Sequence, residues 1–163
     1  MHRRAQLAVG LKSVFFERTV MAIQLDHLMI PTKDRLASAK LLGTILGVPW
    51  AEQSAFGPFS PVFVNDGLTI DFDEWPEPIP KQHYCFRVDL KEFESILKRL
   101  KKLSIAFRST PSGQANNLVN EAFGGHLVYW GEPNGHVWEM LTVSYARQAL
   151  ACNKSSVPWT PTL

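Results

Sequence analysis

The chain of 163 residues is 45% hydrophobic and 20% charged with a formal net charge of +2, the balance of a soluble globular protein with one domain or two small halves sharing a core. No stretch approaches the roughly 20 uncharged apolar residues of a membrane helix. Residues 1–20 hold Arg3, Arg4, Lys12 and Arg18 against Glu17, which leaves the remainder nearly neutral and argues against a nucleic-acid surface. Cys85 and Cys152 form neither a paired framework nor a C-x-x-C spacing, which fits a reducing compartment and a cytoplasmic protein. The basic stretch 1–21 is read as an extension outside the fold, with Met21 as an alternative start, and the tail 147–163 is excluded as well.

In chain order, "IQLDHLMIPT" predicts a strand that stops at Pro31. "DRLASAKLLGTILG" carries a helical stripe of Leu36, Leu41, Leu42, Ile45 and Leu46, with Asp34 as N-cap and Gly47 as stop. A weaker strand candidate at "VPWAEQS" precedes "PVFVND" and "LTIDFDEW", which Asp66-Gly67 joins as a hairpin. The pattern then restarts. "QHYCFRVD" predicts a strand, and "DLKEFESILKRLKKL" a helix with an Asp89/Glu92 capping box and a stripe of Phe93, Ile96, Leu97 and Leu100. A strand at "IAFRST" leads into the long polar loop 109–125, of the length expected of a lid or binding segment. "HLVYWG" and "HVWEMLTV" close the chain as a second hairpin, turning at Asn134-Gly135.

The two halves are copies of one unit: strand, helix, three strands. Aligning "NDGLTIDF" with "PNGHVWEM" puts Gly67 on Gly135 and Asp71 on Glu139, and aligning "DHLMIPTKD" with "QHYCFRVDL" puts His27 on His83. Each copy thus carries a histidine in its first strand and a carboxylate in its last. Strand alternation sets His27 with Leu25 and Met29, Glu139 with Val137 and Leu141, and His83 with Cys85 and Arg87. A carboxylate on such a face is either solvated or partnered. A divalent metal would partner it.

The two-copy β-α-β-β-β order, His27 and His83, and the ending "EPNGHVWE" resemble the vicinal oxygen chelate superfamily, which includes glyoxalase I, extradiol dioxygenases, fosfomycin-resistance proteins and bleomycin-binding proteins. The resemblance spans residues 22–146. It implies an α+β fold of two βαβββ modules, 22–76 and 80–146, that form a barrel-like cup. It also implies metal ligands at His27, Asp71, His83 and Glu139. Imidazole and carboxylate donors suit Fe, Mn, Zn, Ni or Co, and two histidines with one carboxylate leave positions for a substrate that chelates through adjacent oxygens.

Asp71 is shorter than the family's usual Glu or His, so it either coordinates, reaches the ion through water, or acts as a base. Tyr129 stands where the dioxygenase signature has its tyrosine, whereas Asn120, Glu121 and Ala122 occupy the place of that signature's histidine, and His126 is too close to replace it. Arg87 either binds an anionic substrate or sits at the rim, and His136, on the face opposite Glu139, is read as structural. Two functions follow: a metal-dependent lyase/isomerase or dioxygenase acting on a small molecule, or a non-catalytic binder of an antibiotic such as bleomycin. Whether one chain closes its own cup or exchanges modules in a homodimer is left open.

Overall fold

A computed structural model describes residues 23–146, so the expectations for 1–21 and 147–163 lie outside the described residues. The order is β1 (His27–Thr32), α1 (Arg35–Leu46), β2 (Ser60–Asn65), β3 (Leu68–Glu74), β4 (His83–Arg87), α2 (Leu90–Lys102), β5 (Phe107–Arg108), β6 (Leu127–Gly131) and β7 (Val137–Leu141). Two mixed sheets result, one ordered β1-β3-β2 and the other β4-β7-β6-β5. In each, the first strand runs parallel to the last, β1 to β3 and β4 to β7, and a helix makes the crossover that parallel pairing demands. The fold is α+β and built from two like modules. The candidate strand at "VPWAEQS" contracts to isolated bridges, Trp50 with Val62 and Ser54 with Gly57, and β5 is only two residues long.

Local chemistry sets the helix ends. Asp34 accepts a hydrogen bond from the Ala37 amide at 2.9 Å, and Gly47 closes α1 in the left-handed region at φ 73°. Asp89 caps α2 through the Glu92 amide at 2.8 Å, and Arg99, Lys101 and Lys102 sit at its carboxyl end. The two hairpins differ in their turns. Gly135 adopts φ 89°, where a glycine is needed, while Gly67 does not and is held by the Asn65 side chain accepting from its amide at 2.8 Å.

Alternation divides each sheet into two faces. Leu28, Ile30, Ile70 and Phe72 of the first sheet, and Tyr84, Phe86, Trp138 and Met140 of the second, pack under the helices in one core shared by both modules. Trp138 stacks on Tyr84 at 4.9 Å and on Phe86 at 5.6 Å, contacts worth about 0.5–1.5 kcal/mol each beyond the area they bury. The modules are also tied by polar contacts. Arg99 of α2 donates to the Ile45 and Leu46 carbonyls that end α1, at 3.2 and 3.0 Å. His136 is fully buried, accepts from the Gln82 amide at its Nδ1 (3.1 Å) and donates from Nε2 to the Pro31 carbonyl (2.8 Å). Its structural assignment therefore has a cause: it joins the second hairpin to the end of β1. No helix among the described residues is long and apolar enough to cross a membrane.

Candidate metal centre

The faces turned away from the helices carry all five residues singled out from the sequence. They fall into two groups, one on each sheet.

In the second sheet, β7 lies between β4 and β6, and Glu139 is in register with Cys85 on one side and Tyr129 on the other. This central position, roofed by the cluster of Leu127, Tyr129, Leu141 and Val137, buries Glu139 completely. Its Oε2 meets His83 Nε2 at 3.0 Å and accepts from the Tyr145 hydroxyl at 3.2 Å. Its Oε1 is buried and makes no hydrogen bond among the described residues. A desolvated carboxylate oxygen without a donor is costly, by roughly 1–3 kcal/mol or more for a charged group. His83 and Glu139 thus meet directly, and the spare oxygen is what a cation would satisfy. The donor set fits a divalent ion.

The surrounding groups register the same buried charge. Burial, and then the Glu139 carboxylate, push the Cys85 thiol up to about 12 and raise the Tyr129 hydroxyl above its ordinary value. Burial, and again Glu139, also raise Tyr145. The His83 and Tyr129 rings meet edge to face at 5.9 Å. Tyr145 went unrecognised in the sequence because it lies beyond the last predicted strand, where no periodicity marks it.

In the first sheet, His27 pairs with Thr69 and Met29 with Asp71, which makes His27 and Asp71 diagonal neighbours on one face. Both line an open concavity of about 720 Å³ with Met29, Phe56, Phe59 and Phe63. His27 Nδ1 bonds Asp26 Oδ2 at 2.8 Å, a contact that orients the ring and leaves Nε2 free. The Asp26 hydrogen bond, outweighing a small burial effect, raises His27 above its ordinary 6.5. Burial raises Asp71, and His27 partly offsets it. Asp26 was missed, although an acidic residue directly before the candidate His27 was the available signal.

Among the described residues, no three His, Cys, Asp or Glu side chains gather closely enough to hold one ion. His83 and Glu139 form one pair, and His27 and Asp71 the other. Arg87 is exposed on the His83 face.

No protein-family model matches the chain, and no curated protein matches it. Solved structures do. The chain is 34% identical to Oxidase ChaP-H2, with a TM-score of 0.71 over 77% of this chain and 97% of that one. It is 36% identical to Oxidase ChaP-H1, with a TM-score of 0.69 over 76% and 98%. A glyoxalase/dioxygenase from Nostoc punctiforme, 20% identical with a TM-score of 0.56 over 85% and 99%, shares the fold. Paired βαβββ modules, a histidine on each first strand and a carboxylate on each last one, and kinship over nearly the full length of solved relatives place this chain in the vicinal oxygen chelate superfamily.

Proposed function

We propose that the protein is a metal-dependent enzyme that binds a divalent ion through His27, His83 and Glu139 and oxidises a small molecule bearing two adjacent oxygens, with molecular oxygen as the co-substrate that accepts the electrons. The observation that carries this reading is Glu139: a buried carboxylate with one oxygen tied to His83 and Tyr145 and the other left without a donor. Two histidines and one carboxylate suit Fe(II), with Mn, Ni, Co and Zn as competitors for the same donors. The relatives at 34% and 36% identity are both named oxidases, which supports oxidation over lyase or isomerase chemistry. A bound divalent ion would supply a Lewis acid for negative charge developing on substrate oxygen.

The chain's own residues have separable tasks. Asp26 fixes the His27 ring. Asp71, on the open face beside His27, acts through water. Tyr129, held protonated by burial and by Glu139, can donate a hydrogen bond to a substrate oxygen. Met29, Phe56, Phe59 and Phe63 offer the bound molecule an apolar wall that is open to water in the single chain.

A second copy of the chain completes the centre in this reading. Each chain keeps its two donor pairs on separate sheets, and the face carrying His27 leaves Phe56 96% exposed, with Met29 and Phe63 also open. Apolar surface of this kind, beside polar donors, is what a partner covers. In a symmetric dimer the first module of one copy would face the second module of the other, giving two equivalent centres. The free Cys85 thiol agrees with a cytoplasmic setting.

Anaerobic titration of metal-free protein with Fe(II) tests the proposal: about one ion per chain should bind, and His83→Ala should abolish binding while His136→Ala does not. Wild-type protein that takes up no divalent ion would refute it.

A further inference from the structure

The Glu139 carboxylate has a neighbour that the proposed function does not employ. Tyr145 lies in the segment after β7, is half-exposed, and donates to Glu139 Oε2 at 3.2 Å. His83 Nε2 meets that same oxygen at 3.0 Å, so both contacts fall on one side of the carboxylate and Oε1 is left over. A hydrogen bond from His83 to Oε2 and use of the same nitrogen as a metal ligand exclude each other. Once His83 is engaged by an ion, the Tyr145 hydroxyl still donates to Oε2, with Cys85 and Tyr129 the other donors beside the carboxylate. It then fixes the rotation of the carboxylate and keeps Oε1 turned to the ligand position.

The Tyr145 ring is in turn packed against Phe123, with centroids 5.4 Å apart and planes tilted by 43°. Phe123 belongs to the long loop 109–125. A path of two contacts therefore runs from this loop to the buried carboxylate. We infer that Tyr145 is the positioning residue of Glu139, and that it ties the loop bearing Phe123 to the metal-binding carboxylate. This rests on the metal reading above. Supporting residues that orient a metal-ligating carboxylate influence affinity by about ten- to a hundredfold when removed.

Tyr145→Phe removes the hydroxyl and keeps the ring, so packing against Phe123 survives. Cobalt(II) is the probe, because its affinity can be measured by chelator competition and its visible absorption reports ligand geometry without turnover. Tyr145→Phe should weaken Co(II) binding about tenfold and alter the absorption band at unchanged Tm. Phe123→Ala should weaken it about threefold, and the double variant should bind no worse than Tyr145→Phe, since both act along one path. Wild-type affinity and spectrum in Tyr145→Phe, alongside lost binding in Glu139→Gln, would overturn the positioning role and leave the metal centre standing. Unaltered binding in Glu139→Gln would remove both. Additive losses in the double variant would sever the loop from the carboxylate and so overturn the second half of the inference.

Discussion

The two modules place a histidine and a carboxylate in equivalent strand positions, yet the outcomes differ. Glu139 sits on a central strand between Cys85 and Tyr129 and is fully buried; Asp71 sits on a central strand between Met29 and Pro61 and stays half-open. Equivalent topology does not explain the difference. The cover does: Leu127, Tyr129, Val137 and Leu141 close around one carboxylate, while Phe56 and Phe63 stand open beside the other. The second module presents a desolvated carboxylate, and the first an accessible one.

The strongest way to break that comparison is to separate the two halves genetically. Glu139→Gln, His83→Ala and His27→Ala should each lower Fe(II) affinity by more than about a hundredfold, since each deletes a donor outright. Refolding His27→Ala chains together with His83→Ala chains should then restore about a quarter of the centres, because half the dimers are mixed and each mixed dimer rebuilds one of its two sites. Recovery is measured as bound iron per chain. A mixture as empty as its components would mean that each chain builds its own centre, and the first module's open face would need another explanation.

The repeat made much of this legible. Asp-Gly and Asn-Gly turns, two capped helices and the aligned histidines and carboxylates were enough to set out the two modules, whereas reading His27, Asp71, His83 and Glu139 as one ligand set did not foresee their division between two sheets. What alignment could not convey was burial, because Asp71 and Glu139 occupy the same slot and only tertiary cover distinguishes them. Tyr145 was illegible for a related reason: its role depends on the chain folding back after β7, not on any pattern near it. The segment "VPWAEQS" pairs through isolated bridges at Trp50 and Ser54 and not through a continuous ladder, and its Pro49 has no amide hydrogen to give.

Cys85 offers a measure of how dry the second half is. Burial and Glu139 raise its thiol to about 12, so the reactive thiolate is scarce at pH 8 even though the residue keeps an exposed edge. Allowing for that exposure, alkylation by iodoacetamide should be about a hundredfold slower than for a free thiol. Glu139→Gln, which removes the negative charge, should recover part of the rate. Ordinary reactivity in the wild type would mean that water reaches the carboxylate and that the two halves are alike.

In the first module the same reasoning applies to an exposed pair. Asp26 raises His27, so protons compete with a metal for this ring at a higher pH than for an ordinary histidine. Asp26→Asn should weaken Fe(II) binding about tenfold at neutral pH, because the lost orientation of the ring outweighs the relieved proton competition. It should also lower the His27 midpoint in an NMR titration. The sign follows from linkage: the Asp26–His27 contact stabilises the fold at low pH and its contribution fades as pH rises through the raised His27 value.

Asp71 should give the smallest effect and the sharpest reading of the open half. Its carboxyl is raised by burial and only partly relieved by His27, so it takes up a proton at a higher pH than a solvated aspartate. Linkage then has the opposite character to that of a salt-bridged carboxylate: ionising Asp71 costs folding energy as pH rises through its raised value, and Asp71→Asn removes that cost. If Asp71 works through water, Asp71→Asn weakens Fe(II) binding only about threefold at neutral pH, and affinity falls less steeply toward pH 5 than in the wild type. Direct coordination would instead make the loss comparable to that of Glu139→Gln. The size of that one ratio decides whether the first module contributes one ligand or two, and hence whether substrate meets a centre with three protein donors or four.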